Sequence, residues 1–200
     1  LLALTVALVA FAGLASAEEE GTWKIAILTG TTSQGEEEFR AAEALKEQYP
    51  DNVITDTYPD QFMAEQETTI SKLVAFASDP DVKAIVMCQA VPGATPAFNA
   101  IREMGRDDIL FIAGVPQEDP AVIAEAADIV MYADEIKQGD SIMETCANWG
   151  IDVFIHYSFP RHMAMELIVG RHDLMVENAA ALGIEFVDVT APDPTAEAGA

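Results

Sequence analysis

The stretch HYSFPRH, residues 156–162, sets His156, Tyr157, Phe159, Arg161 and His162 at the end of an apolar run. Cations are scarce in this chain, with 10 Lys and Arg against 34 Asp and Glu. Arg161 at a strand end could therefore hold a ligand's carboxylate or hydroxyls through paired hydrogen bonds. The plainer alternative is an ion pair with one of the many acids. His156, inside the apolar run, reads as a hydrogen-bonded core histidine. The second loaded stretch is GTTSQG, residues 30–35, where Thr31, Thr32, Ser33 and Gln34 offer donors and acceptors to a neutral hydroxyl or amide. The plainer alternative is a turn and a helix cap. It lacks G-K-[ST] and is not G-x-G-x-x-G, so neither a P-loop nor a dinucleotide site is expected. Ser33 and Glu36 match the S-x-x-E capping box, and Glu36, Glu37 and Glu38 put negative charge at a helix start. On both grounds a phosphate is not expected there.

Further polar candidates are Tyr58, Asp60, Gln61, Gln89, Pro92, Gln117 and Ser158. Tyr58, Phe62, Trp149 and Phe159 could stack a ringed solute, though each alone is more often core. Catalysis has little support. His156, His162 and His172 lack the H-E-x-x-H spacing, and no G-x-S-x-G elbow occurs. Asp56 and Asp60 flank Tyr58, but paired carboxylates are weak evidence in so acidic a chain. Cys88 and Cys146 form no C-x-x-C and read as two separate buried thiols. No metal and no cofactor is expected.

These residues need elements to position them. Strand-like runs alternate with helical spacing. KIAILTG precedes a helix with Phe39, Ala42, Leu45 and Tyr49 on one side. VITDTYPD precedes Ile70, Leu73, Val74 and Ala77. VKAIVMCQA precedes Ala97, Ala100, Ile101 and Met104. DILFIAGV leads to a short helix from Pro120, and IVMYA to a helix carrying Ile142, Met143, Cys146 and Trp149. VFIHYS leads to a long helix from Pro160 towards Leu182, and EFVDVT ends the series. Continuous apolar strands imply cover on both faces, hence a doubly wound parallel α/β sheet with right-handed crossovers. Thr95 before Pro96, and Ser158 before Pro160, read as N-terminal caps, and Gly183 as a helix end. In such sheets ligands sit beyond the carboxyl ends of the strands, which is where the candidates above fall.

The chain has 200 residues, half of them hydrophobic. Residues 1–14 are apolar and uncharged, and ASA follows at 15–17. Together they read as a secretory signal peptide (residues 1–17) clipped at its N-terminus, with export to the periplasm as a soluble protein. A formal net charge of −24 argues against nucleic acid and anionic membranes as partners. Residues 18–133 read as a first α/β lobe and 134–200 as the start of a second, C-terminally truncated, with APDPTAEAGA as a loop or linker.

KIAILTG, ILTGTTSQGEEEFRAAE, TYPDQFMAEQETTISKL, GVPQEDP and the crossing after IVMYADE together resemble the type I periplasmic binding proteins, the solute receptors of ABC importers. The resemblance is nearest to an uncharacterised, domain-of-unknown-function branch of that fold. It implies two α/β lobes closing over a small polar solute, with contacts at Thr31 to Gln34, Tyr58 to Gln61, Gln89 to Pro92, Val115 to Gln117 and Tyr157 to Arg161. A first crossing is implied at Ala133 to Glu135. The implied partner is a membrane transporter or sensor, with no membrane insertion after signal cleavage. Two alternatives stand beside it: an exported enzyme using Asp60 or His162 as acid–base group, and a ligand-free sensor or interaction module.

Overall fold

The computed structural model describes residues 22–192. The expected leader and all but the first two residues of the expected terminal linker lie outside those residues. Strands and helices alternate in the order β1 (Lys24–Thr29), α1 (Glu36–Gln48), β2 (Val53–Thr57), α2 (Gln66–Ala77), β3 (Val82–Met87), α3 (Ala94–Glu103), β4 (Leu110–Gly114), α4 (Pro120–Ile123) and β5 (Ile129–Met131). There follow α5 (Glu135–Asn148), β6 (Val153–Ser158), a 3-10 turn (His162–Ala164), α6 (Glu166–Leu182) and β7 (Glu185–Thr190). The first five strands form one parallel sheet in the order β2-β1-β3-β4-β5, and β6 and β7 form a second parallel pair. Among the described residues no helix is long and apolar enough to cross a membrane.

The order of the strands decides which face each helix covers. The step from β1 to β2 runs one way along the sheet, and the later steps run the other. Right-handed crossovers then send α1 to one face and α2, α3 and α4 to the opposite one. The main core lies under α2 to α4, where Leu28, Ile85, Met87 and Phe111 from the strands meet Leu73, Phe98, Ile101 and Ile123 from the helices. Phe98 and Phe111 stack with ring centroids 4.5 Å apart, and Arg102 lies over the Phe111 ring at 4.3 Å. The α1 face buries only Ile27, Ala42 and Val53. The sequence predicts strands covered on both sides, but α1 covers only part of this face. Leu45 and Tyr49, placed by spacing on a packed stripe, are 43% and 48% exposed. Val86, Cys88, Ile112 and Met131 line an open apolar groove beside them.

Three expected caps are replaced. Helix α1 starts after Gly35, whose extended backbone supplies no side-chain bond, so the Ser33–Glu36 capping box does not form. Helix α3 starts after Gly93, whose φ of 104° suits a residue without a Cβ. Thr95 and Pro96 thus fall inside the first turn, where a missing N–H costs nothing. Helix α6 starts at Glu166 rather than Pro160. Residues 159–165 instead close short i→i+3 bonds, from His162 N–H to Phe159 O, Ala164 N–H to Arg161 O and Met165 N–H to His162 O. Asp119 caps α4 through Ala121 N–H, and Gly183 ends α6 with φ of 74°.

The chain leaves the large sheet after Met131 and enters α5 at Glu135, capped by Asp134. Helices α5 and α6 pack on one face of the β6–β7 pair around Met143, Met175, Ala179 and Ile184. Val153, Ile155 and Tyr157, alternating on the other face of β6, are exposed. Cys88 and Cys146 are both free, one beside each small core.

Candidate functional site

Helices leave β1 and β3 towards opposite faces, so the loops after these neighbouring strands splay apart and leave a crevice at their carboxyl ends. On the β1 side Thr31 closes the loop. Its carbonyl accepts the N–H groups of Gln34 (3.0 Å) and Gly35 (2.9 Å), and its hydroxyl accepts that of Ser33 (3.2 Å). This tight local turn competes successfully with the capping box, because its acceptors are the nearest ones to the orphan N–H groups. The Thr31 hydroxyl in turn donates to the Asp60 carboxylate, and the Gln34 amide reaches the Asp60 carbonyl at 3.5 Å. Thr31, Gln34 and Asp60 are therefore brought together, while Thr32 and Ser33 face solvent. With no side-chain cap formed, the case against an anion here rests on the three acids in the first turn of α1 alone.

On the β3 side the Gln89 amide donates to both oxygens of Glu38, at 3.0 and 3.2 Å, and its carbonyl accepts from the Gln117 amide at 3.2 Å. Gln117 is fixed by its own N–H to Ala90 O at 3.0 Å. A polar chain Glu38–Gln89–Gln117 thus spans from α1 to the loop after β4. That loop holds Val115 at φ 36°, a left-handed conformation unfavourable to a branched side chain. Its N–H bonds to Met131 O at 2.7 Å. Backbone strain of this kind gathers at binding sites. Pro92 is half-buried next to Gly93.

Tyr58 is fully buried, with its ring edge-on to Phe62 at 5.5 Å. Its hydroxyl finds no hydrogen-bond partner among the described residues, and a Cβ on Gly30 would lie 2.8 Å from it. Burial, helped by the Glu38 charge, pushes the phenol well above its ordinary range, so it stays protonated. Tyr58 forms the floor of the crevice rather than an open contact. Gln61 is half-buried, and its carbonyl accepts the N–H groups of Ala64 and Glu65.

The second sheet approaches from the far side. The Arg161 guanidinium lies 5.4 Å from the Phe62 ring and 5.9 Å from that of Phe159. A cavity of about 220 Å³ is lined by residues 116–120, from the β4–α4 loop into α4, and 164–167, into the start of α6. Glu118, Asp119 and Glu166 make its rim acidic. Ser158 is half-buried and its carbonyl accepts Ala191 N–H at 2.8 Å. Tyr157 is not brought to this cluster: it points to the uncovered face of β6 and is 63% exposed. Trp149 caps the end of α5 at the opposite end of β6 and is 76% exposed, so it does not join the stacking set. Asp56 is tied to Lys72 at 2.7 Å, while the Asp60 carboxylate accepts from Thr31. The residues missed from sequence are Glu38, Glu118, Met165 and Glu166. Glu38 is one of three consecutive glutamates, and only the phase of α1 selects it.

Residues 23–200 match the family described as a protein of unknown function (DUF3798). An uncharacterised protein of Treponema pallidum (strain Nichols) is 35% identical over 179 residues, covering 86% of this chain and 80% of its own. A solved structure described as a transcriptional regulator from Clostridium difficile 630 superposes with a TM-score of 0.67 at 23% identity, over 86% of this chain and 50% of its own. An ABC transporter periplasmic solute binding protein from Actinobacillus succinogenes 130z, with bound D-allose, gives 0.59 at 17% identity, over 83% and 58%. The chain thus spans roughly half to three fifths of these solved structures. The shared feature is the fold, a doubly wound α/β domain of the type I periplasmic-binding-protein kind.

Proposed function

Because this chain belongs to the family described as a protein of unknown function (DUF3798), and its fold is that of type I periplasmic binding proteins, we propose that it is an exported, periplasmic solute-binding receptor. In this reading residues 18–133 and 134–200 belong to two lobes. A small polar solute is held between them, and the closed form is read by an ABC importer or a sensor in the membrane. No chemistry on the solute is involved. The observation that carries the reading is the convergence of the two sheets at their strand ends: Arg161 lies over Phe62, and a cavity is lined from both sides. The contacts offered are Thr31, Gln34, Asp60, Gln61, Gln89, Pro92, Gln117, Ser158 and Arg161. Thr32 and Ser33 sit at the solvent edge, Tyr58 beneath and Tyr157 outside. Asp60, Glu38, Glu118 and Glu166 outnumber Arg161, so the charge favours neutral or cationic solutes rich in hydroxyls or amides, such as sugars and nucleosides.

The test is thermal unfolding of the chain against nucleosides, sugars, amino acids and small carboxylates. A bound solute at 100 times its Kd adds about 2.7 kcal/mol. For a chain of this size that raises Tm by about 5–10 °C. Arg161→Ala is expected to remove the shift. A chain that unfolds cooperatively and responds to nothing in the panel defeats the reading, and product formation from a bound solute replaces it with an enzyme.

A further inference from the structure

A second cluster lies away from the cleft residues, in the β6–β7 layer. Register pairs His156 on β6 with Asp188 on β7, and both lie on the face that α6 covers. Helix α6 sets His172 against them. His156 Nδ1 is 3.0 Å from Asp188 Oδ1, and His172 Nε2 is 3.1 and 3.2 Å from the two Asp188 oxygens. The two imidazoles lie 5.0 Å apart, walled by the Phe186 ring at 5.9 and 5.5 Å. One ligating atom from each of the three residues lies within 4.8 Å of the others. Nothing in the solute-binding reading uses this cluster.

The balance of donors and acceptors around His172 bears on what the cluster holds. His172 Nδ1 is 3.0 Å from Asp173 Oδ1. Carboxylates only accept, and both His172 nitrogens face one, so a neutral ring can donate to Asp173 or to Asp188 but not to both. With the single proton on Nδ1, Nε2 presents a lone pair to both oxygens of Asp188. Such a contact holds only with a second ring proton or a metal ion between the two groups. We propose that His156, His172 and Asp188 bind one divalent transition-metal ion, zinc in the first instance, with Asp173 orienting His172 from behind. Imidazole and carboxylate donors together suit zinc and its neighbours rather than magnesium or calcium. Bonds of about 2.0–2.1 Å to zinc put tetrahedral ligand atoms roughly 3.3 Å apart, close to the 3.0–3.2 Å that already separates each histidine from Asp188. A carboxylate on the far nitrogen of a ligating histidine is the usual outer-shell arrangement. The rings are shielded, at 12% and 15% side-chain exposure, while Asp188 at 59% leaves an entry path and room for a water in the fourth position. The ion would tie two strands to a helix in a layer whose buried core, among the described residues, is the small cluster Met143, Met175, Ala179 and Ile184. Metal binding of this kind couples to folding.

The experiment uses the full chain, stripped with chelator and titrated with zinc or magnesium at pH 7.5 and 0.15 M salt, by equilibrium dialysis and by thermal unfolding. One zinc per chain is expected, with a rise in Tm that magnesium does not produce. Asp173→Asn is expected to weaken zinc binding by about 10-fold, and His172→Gln or Asp188→Asn by more than the ~100-fold upper range of an outer-shell loss. Imidazole NMR signals of the unsubstituted chain provide a readout that does not depend on any variant folding: His156 and His172 are expected to shift with one equivalent of zinc and His162 to stay. Zinc that binds no better than magnesium, that binds His172→Gln equally well, or that leaves the His156 and His172 signals unmoved overturns the site. The cluster is then a protonated histidine pair around a carboxylate.

Discussion

Gln89→Glu isolates the polar chain that lines the crevice. The Gln89 amide nitrogen lies 3.0 and 3.2 Å from the Glu38 oxygens, so the substitution exchanges a donor for a carboxyl oxygen without changing shape. Two unit charges about 4 Å apart repel by about 4 kcal/mol at the effective dielectric of a protein surface. Gln89 is half-buried, and solvent screening brings this to about 2 kcal/mol. That energy raises the introduced carboxyl above its ordinary range, because ionising it beside Glu38 is unfavourable. A group raised in the folded state contributes fully below its unfolded value and loses that contribution as pH rises through the folded one. Below about pH 4 the protonated carboxyl still donates to Glu38, and the variant is expected to match the parent. By pH 7.5 it is expected to be about 2 kcal/mol less stable, or about 4–8 °C lower in Tm. The assay is thermal unfolding of both proteins between pH 4 and pH 8, with Gln89→Leu as a variant whose loss does not depend on this titration. A Gln89→Glu deficit that is the same at every pH refutes the reasoning, because the residue would then not face Glu38.

Asp108 accepts from Arg106 at 2.8 Å and Lys83 at 2.6 Å, and these two cations hold its carboxyl well below the usual range. Its folded value is depressed, so its contribution is present above about pH 4 and is lost as pH falls through the folded value. Asp108→Asn is expected to flatten the acid limb of the urea midpoint between pH 5 and pH 2, and an unchanged limb contradicts this. At Gly114 a Cβ would sit 2.6 Å from Cys88 O and 3.0 Å from Met87 O, both backbone atoms that cannot turn aside. Gly114→Ala is expected to cost about 2–3 kcal/mol, as overpacking does. Gly105→Ala meets nothing within 4 Å and carries only the strain of φ 83°, about 1 kcal/mol. Equal urea midpoints for the two variants remove the steric argument.

The alternation of strands and helices was legible because it is written locally. Period-3.6 stripes such as Leu73 and Ala77, and apolar runs such as KIAILT, report themselves within a dozen residues. The strand ends that carry Thr31, Asp60, Gln89 and Gln117 followed from that alternation. Caps were read less well. Ser33, Thr95 and Ser158 are all good cap residues by type, yet the nearby Thr31 turn, the left-handed Gly93 and the i→i+3 turn at 159–165 took the helix starts instead. Tyr157 shows another limit, since alternation assigns it to a face of β6 without saying which face is covered.

By itself the sequence determined the α/β class, the alternation of strands and helices and the loops in which polar groups would gather, because each depends on residues close together in the chain. Only the tertiary structure decided that Glu38 of three glutamates meets Gln89, and that Tyr58 is floor rather than rim. It alone leaves Leu45 and Tyr49 open beside an apolar groove and brings His156 to Asp188 across 32 residues. Those outcomes depend on strand order, helix phase and register, which emerge when distant segments pack and which no local period encodes.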